Sequence, residues 1–304
     1  MGLLCIIVQF VLKQAKRAAG RSSRGTAILH SSFLEEACSM EVRKGVIPAA
    51  GLGTRLRPLT DKVPKELFPL GRKLVIDYAL EEAVWSGIEE VCVVISPQKR
   101  QIREHYARGY DQLLRELGEI INFVDISFVE QKQPLGLGDA IWTARKFVGD
   151  QPFAVLLPDN VFLAEMAPIG QLMQLYSECP TCCVGIMAVP ENQAIFFTSA
   201  RKLGYKELRQ GVYRIQKIFD DDREPVREHE IRSIGRYILT PRFFDYCPQA
   251  REKARQELRE TDVLKEYLRA GNELYGLLIE GERFDTGNWE GYSKAFVEFI
   301  DRER

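Results

Sequence analysis

The residues with the clearest chemical content form one run, Ala49-Ala50-Gly51-Leu52-Gly53-Thr54-Arg55-Leu56-Arg57-Pro58, which continues to Pro64-Lys65-Glu66. Gly51 and Gly53 carry no side chain, so backbone N–H groups can turn inward there as a nest for phosphate oxygens. Arg55 adds a fork of donors suited to a polyphosphate, and Lys65, ten residues on, adds a point charge. A Gly-x-Gly pair alone marks only a tight turn. The stretch lacks the Gly-Lys-Ser/Thr of a Walker loop and the third Gly of the dinucleotide fingerprint, so it is neither of those phosphate loops.

Such a loop must be carried on a frame, and the pattern from Met40 onward alternates strand and helix. Residues 44–50 (KGVIPAA), 90–95 (EVCVVI), 124–129 and 153–157 (FAVLL) are expected as buried strands. Helices are expected over 74–85, through Tyr106 and over 138–148, and a terminal helix over 292–300 should pack Phe296, Val297 and Ile300 on the body. Continuous apolar strands between helices indicate a mostly parallel sheet covered on both faces. Later strands at 181–189, 212–219 and 231–239 suggest an antiparallel addition. Ligands of an open α/β sheet bind beyond the carboxyl ends of its strands, which is where the Gly-rich run falls.

The chain has 304 residues, 45% hydrophobic and 28% charged, enough to bury a large core and far from disordered or collagen-like compositions. With 42 basic and 43 acidic side chains the net charge is −1, which gives no general attraction to nucleic acid or to a membrane surface, so an anionic ligand needs a local site. Seven scattered cysteines fit free thiols in a reducing, cytoplasmic setting, and Cys179, Cys182 and Cys183 lead into a strand without the second ligand pair of a zinc site. His30, His105 and His229 are expected at solvated positions. Residues 1–39 do not match the rest: Leu3 to Leu12 is too short to span a bilayer, and its basic residues follow the apolar run. This segment is expected outside the fold, with Met40 as the start of a single domain over 40–304, and the oligomeric state, a homo-oligomer included, stays open.

The whole string GxGTRxxPxTxxxPK is far more specific than its parts. It and later blocks, in order along 40–304, give a chain that resembles the sugar-1-phosphate nucleotidyltransferases, especially the bacterial UTP–glucose-1-phosphate uridylyltransferases. The resemblance implies a Rossmann-like three-layer α/β/α fold with a mixed, mostly parallel sheet. It implies nucleotide contacts from Ala50, Gly51, Leu52, Gly53 and Thr54, with Arg55 on the triphosphate and Lys65 on reacting phosphate. The block Gln131-Lys132-Gln133-Pro134-Leu135-Gly136-Leu137-Gly138-Asp139 would bring Gln131 and Gly136 to the pyrimidine edge. An amide has both a donor and an acceptor face, and glycine lets backbone approach a flat base. Asp139 stands where the family usually has His.

Leu156-Leu157-Pro158-Asp159-Asn160 matches a strand-end block whose Asp binds Mg²⁺, and Phe284-Asp285-Thr286-Gly287 matches one whose Asp sits beside the same ion. A lone Asp before Asn is more often a turn residue, but beside a phosphate loop a hard-oxygen ligand is the better reading. Gly235 to Leu239 would line the substrate and Thr261 to Leu264 would be structural. One block departs: the family has Glu-Lys-Pro, whereas Gln216-Lys217-Ile218 keeps only the lysine, so Lys217 is expected on the sugar phosphate and Gln216 on the sugar hydroxyls. The reaction so implied is uridylyl transfer from UTP to a sugar 1-phosphate, glucose 1-phosphate in the first instance. The alternatives are another sugar or nucleotide, or a homologue that binds a nucleotide-sugar without turnover.

Overall fold

The computed structural model describes residues 41–107, 124–197, 200–219, 225–254 and 256–302. The expectations for residues 1–39 and His30 lie outside these. In chain order the elements are β1 (Lys44–Pro48), β2 (Pro69–Leu70), β3 (Lys73–Leu74), α1 (Val75–Trp85), β4 (Glu90–Ile95), α2 (Arg100–Ala107), β5 (Asp125–Glu130), α3 (Leu137–Thr143), α4 (Arg145–Val148), β6 (Phe153–Leu156), β7 (Asn160–Leu163), α5 (Pro168–Glu178), β8 (Cys182–Ala188), β9 (Leu203–Arg209), β10 (Val212–Ile218), β11 (Ile231–Leu239), α6 (Arg242–Asp245), α7 (Cys247–Lys253), α8 (Glu260–Arg269), β12 (Leu274–Leu278), β13 (Glu282–Asp285) and α9 (Trp289–Arg302).

Among the described residues nine strands form one sheet in the order β5-β4-β1-β6-β11-β8-β12-β10-β9. Pairings from β5 to β6 are parallel, β11 runs antiparallel to both β6 and β8, and β12 is again parallel to β8. The expected antiparallel addition is thus inserted within the sheet at β11 and completed at the edge by β10 and β9. Both faces are covered, because side chains alternate across a strand and here both alternations are apolar. Ile47, Val91, Val93 and Leu156 join one core with Ile76 and Leu80 of α1 and Leu172 of α5. Val46, Cys92, Val94 and Val155 join the other, with Ile141 of α3 and Val263 and Leu264 of α8.

A third, smaller core matters most for the site. Leu56 and Phe68 meet Val161 of β7, Phe284 of β13 and Phe299 of α9, and β7 pairs antiparallel with β13 as a separate ribbon. The expected helix over 138–148 is two helices, because Ala144 closes α3 with an i→i−3 bond to Ile141 O (3.1 Å). The terminal helix also corrects an expectation. Its buried positions are Gly291, Ala295 and Phe299, four apart, so Val297 falls on the opposite side and is 60% exposed. His105 is no solvated histidine either: its Nε2 lies 3.8 Å from Asp77 Oδ1, whereas His229 is exposed. No helix among the described residues is long and apolar enough to cross a membrane.

Candidate active site

The chain leaves β1 at Pro48, Ala49 N–H still bonds Val94 O (2.8 Å), and the Gly-rich loop follows. Gly53 takes a left-handed φ of +66°, and a Cβ there would meet Thr60 Cγ2 at 3.0 Å, so the residue type is dictated twice over. The Thr60 hydroxyl donates to Gly53 O at 2.9 Å, and fully buried Leu56 anchors the far end of the loop in the third core. Among the described residues the N–H groups of residues 51–55 have no hydrogen-bond partner. Unspent, neighbouring donors of this kind form a cradle for anionic oxygens.

Lys65 opens a one-turn 3₁₀ helix (Lys65–Leu67) whose second residue, Glu66, is 1% exposed. Glu66 is held by Lys99, whose Nζ donates to both carboxylate oxygens (2.9 and 2.7 Å) and to Ala49 O (2.9 Å). One ammonium therefore ties the root of the Gly-rich loop to the turn that carries Lys65. Burial pulls the Lys99 pKa below its ordinary value, with Glu66 acting against that shift. Lys65 itself bonds Asp159 Oδ2. Burial works to lower the Lys65 pKa, but the Asp159 and Glu66 carboxylates outweigh it and raise it.

These parts face a cavity of about 300 Å³. Its lining includes every nucleotide residue expected from sequence (Ala50, Gly51, Leu52, Gly53, Thr54, Gln131 and Gly136) together with Lys65 and Asp159. Gln131 leaves the end of β5 and is buried, with Nε2 donating to Gly136 O (3.0 Å) and Asp139 Oδ2 (2.7 Å). Gly136 has φ +99°, and a Cβ would come within 2.4 Å of Leu258 O. No side chain other than hydrogen fits there.

Asp159 and Asp285 lie on the β7–β13 ribbon's end, where Asp285 pairs with Asn160. Thr286 N–H donates to Asp159 O (2.8 Å), and Asn160 Nδ2 donates to Asp159 Oδ1 (3.0 Å). A Cβ placed on Gly287 would be 2.9 Å from Asp159 Oδ2, 3.0 Å from Asp285 Oδ1 and 2.9 Å from Arg55 Nη2. The glycine thus leaves one point that two carboxylate oxygens and a guanidinium all approach. Burial acts to raise the Asp159 pKa, but Lys65, Arg55 and Arg283 more than reverse this and hold it at about 2. Asp159 is accordingly a carboxylate at any physiological pH. Two oxygens from the protein are the donor set that suits an ion completing its shell with phosphate and water. No cluster of three or more His, Cys, Asp or Glu suited to a metal occurs among the described residues.

A second cavity of about 230 Å³ shares Asp159, Leu137, Leu157 and Glu257 with the first. Arg55, Asp285, Gly235, Tyr237, Arg201 and Arg259 contribute to its walls. Lys217 and Gln216, expected on the sugar and its phosphate, line neither cavity. Both are exposed on β10, where a register shift between Ile215 and Lys217 turns consecutive residues outward, and Lys217 Nζ sits 4.6 Å from the Phe219 ring centre. Asp220 and Asp221 lie outside the described residues.

Sequence reasoning missed the braces. Arg236, 1% exposed within β11, pairs with both oxygens of Glu82 (2.8 Å each) and donates to Leu157 O (2.8 Å) and Asn160 O (2.6 Å). Arg283 reaches Asn160 Oδ1 (2.5 Å), Phe196 O (2.9 Å) and Asp285 Oδ2 (3.3 Å). Arginines inside a strand flanked by apolar residues, Arg232 and Arg236 in residues 231–239, were an available signal.

Residues 44–302 match the family described as Nucleotidyl transferase. The chain is 34% identical over 275 residues to a UTP–glucose-1-phosphate uridylyltransferase of Bacillus subtilis, covering 87% of this chain and 93% of that protein. It is 35% identical over 270 residues to a protein of the same name from Staphylococcus haemolyticus, covering 85% and 92%. Among solved structures, a UDP-glucose pyrophosphorylase complexed with UDP-glucose aligns with a TM-score of 0.75 at 29% identity, over 86% of this chain and 100% of that one. A UTP-bound UGPase from Acinetobacter baumannii aligns with a TM-score of 0.73 at 26% identity, over 85% and 93%.

Proposed function

The chain belongs to the nucleotidyl transferase family, and from that premise we propose that it transfers the uridylyl group of UTP to a sugar 1-phosphate, with glucose 1-phosphate as acceptor, releasing pyrophosphate. The observation that carries this reading is the adjacency of the two cavities. One is walled by unspent loop N–H groups and Gln131, the other by Arg55, Arg201 and Arg259, and Asp159 stands between them. Two phosphorylated substrates could be held there with their reacting atoms side by side.

In the reaction, an oxygen of the sugar phosphate attacks the α-phosphorus of UTP. The α–β bridging P–O bond breaks, and its electron pair leaves on pyrophosphate. No proton need be taken by a strong base, so the demand is for alignment and for charge placed where negative charge shifts. The loop N–H groups hold the polyphosphate oxygens, Lys65 offers its ammonium from inside the nucleotide cavity, and Arg55 offers its guanidinium from the wall of the second cavity, which Asp159 shares. Lys99, through Glu66, positions the turn that carries Lys65. Asp159 and Asp285 would hold Mg²⁺, which when bound neutralises phosphate charge and orients the oxygens it ligates.

The test is pyrophosphate release from UTP with glucose 1-phosphate, and with N-acetylglucosamine 1-phosphate as a comparison. Turnover with glucose 1-phosphate that needs Mg²⁺ supports the reading. UTP binding without pyrophosphate release from any sugar 1-phosphate would leave a nucleotide-binding protein and refute transfer.

A further inference from the structure

Asp139 stands beside the nucleotide cavity rather than in its wall, and its hydrogen bonds give it a task. Gln131 is 4% exposed and Asp139 7%. Both N–H bonds of the Gln131 amide are spent, one on Gly136 O (3.0 Å) and one on Asp139 Oδ2 (2.7 Å). Asp139 is in turn fixed through Oδ1 by Arg251 Nη2 (2.5 Å). A carboxylate only accepts hydrogen bonds, so a flipped amide would set oxygen against oxygen at two places. Among the described residues Gln131 Oε1 has no partner, nor has the Gly136 N–H. The cavity thus presents an acceptor and a donor five residues apart in sequence and joined through one hydrogen bond.

We propose that Asp139 is the positioning residue that sets the choice of base, by locking Gln131 with Oε1 as its sole offering to the nucleotide. This deepens the UTP reading above and rests on it. Uracil carries an N3–H donor beside a carbonyl acceptor, which complements Oε1 and the Gly136 N–H. Cytosine held in the same pose turns a lone pair toward Oε1. Sliding the base by one position would restore a match, but the ribose and phosphates are anchored at the Gly-rich loop. Without Asp139 one of the two contacts that oppose the flip disappears, Gly136 O alone holds the amide, and the preference for uracil weakens.

The experiment is titration calorimetry of the full chain with UTP and with CTP in the presence of Mg²⁺, for the wild type, Asp139→Leu and Asp139→Asn. The wild type should favour UTP by tenfold or more, and Asp139→Leu should reduce that ratio by about tenfold, the worth of one hydrogen bond. Asp139→Asn, which keeps one acceptor oxygen for the two donors Gln131 Nε2 and Arg251 Nη2, should give a ratio between those of the wild type and Asp139→Leu. An unchanged ratio in Asp139→Leu, or an equal loss of both nucleotides there, would overturn the assignment and leave Asp139 as packing. Should Asp139→Leu not fold, Asp139→Ala makes the same comparison. A wild type that binds UTP selectively yet never releases pyrophosphate refutes only the transfer reading, whereas one that binds neither nucleotide overturns both.

Discussion

Replacing Lys99 by methionine should separate stability from catalysis. The side chain is 10% exposed and its partner Glu66 1%, and the ammonium makes three hydrogen bonds, two to Glu66 and one to Ala49 O. Methionine fills nearly the same space but leaves the buried Glu66 carboxylate without its ion-pair partner. Losing one partner of such a pair costs about 3–5 kcal/mol, and the stranded Ala49 carbonyl is part of that sum. At about 1.4 kcal/mol per factor of ten, the folding constant should fall roughly 140-fold to 4,000-fold. Removing both charges, in Glu66→Met with Lys99→Met, should return stability to within about 1 kcal/mol of the wild type, because an apolar pair replaces an ion pair of similar volume. Catalysis should not return with it. Neither variant retains the tie between the loop root and the Lys65 turn, so kcat should stay at least about tenfold down. Urea unfolding followed by circular dichroism, with pyrophosphate release measured in parallel, reads both quantities. A Lys99→Met cost below about 1 kcal/mol, or a double variant no more stable than the single one, would refute the bracing role.

Four further outcomes are expected. The depressed Asp159 pKa means that its contribution to stability is complete above about pH 4 and is lost as pH falls through about 2, so Asp159→Asn should flatten stability against pH in that window and also abolish Mg²⁺-dependent turnover. An unchanged acid limb would sink the pairing. Gly287→Ala would force a methyl to within 3.0 Å of Arg55, Asp159 and Asp285, and should cost about 1–3 kcal/mol in melting experiments as well as raise the Mg²⁺ needed for turnover. Gln216→Glu, an exposed change outside both cavities, should leave the ratio of kcat/KM for glucose 1-phosphate and N-acetylglucosamine 1-phosphate within about twofold, and a larger shift would mean that β10 does meet the sugar. A chain starting at Met40 should match the full chain in melting temperature and turnover; a fall in either would assign residues 1–39 a part in the enzyme.

The Gly-rich loop was legible because its chemistry is contiguous: a turn, its donors and its lysine follow one another over fifteen residues, from Gly51 to Lys65. The alternation of buried strands and helices was legible for a similar reason, since a doubly covered strand needs an unbroken apolar run. Illegible were the pairings that hold the site. Lys99 with Glu66, Arg236 with Glu82 and Arg283 with Asn160 each join residues far apart in the chain, and a sequence states charge types without stating which closes on which. The outward facing of both Gln216 and Lys217 was illegible for a different reason. Strand alternation would have turned Lys217 to the same side as buried Ile215, and one irregularity in the β9–β10 ladder undoes that parity.

The β7–β13 ribbon ties the timing of competence to the end of the chain. Arg283 meets Asn160 across 123 positions, and Asp285 takes its place beside Asp159 only when that closure is made. Closing so long a loop carries an entropic cost that grows with the logarithm of its length, and it returns nothing until the ribbon and the third core form together. On the ribosome, β1, β4, β5 and β6 can emerge and pair early, while Asp285 is still unsynthesised. A nascent chain would therefore own its Gly-rich loop long before Asp285 stands beside Asp159, and cleavage just before β13 would remove that carboxylate while sparing every strand of the nine-stranded sheet.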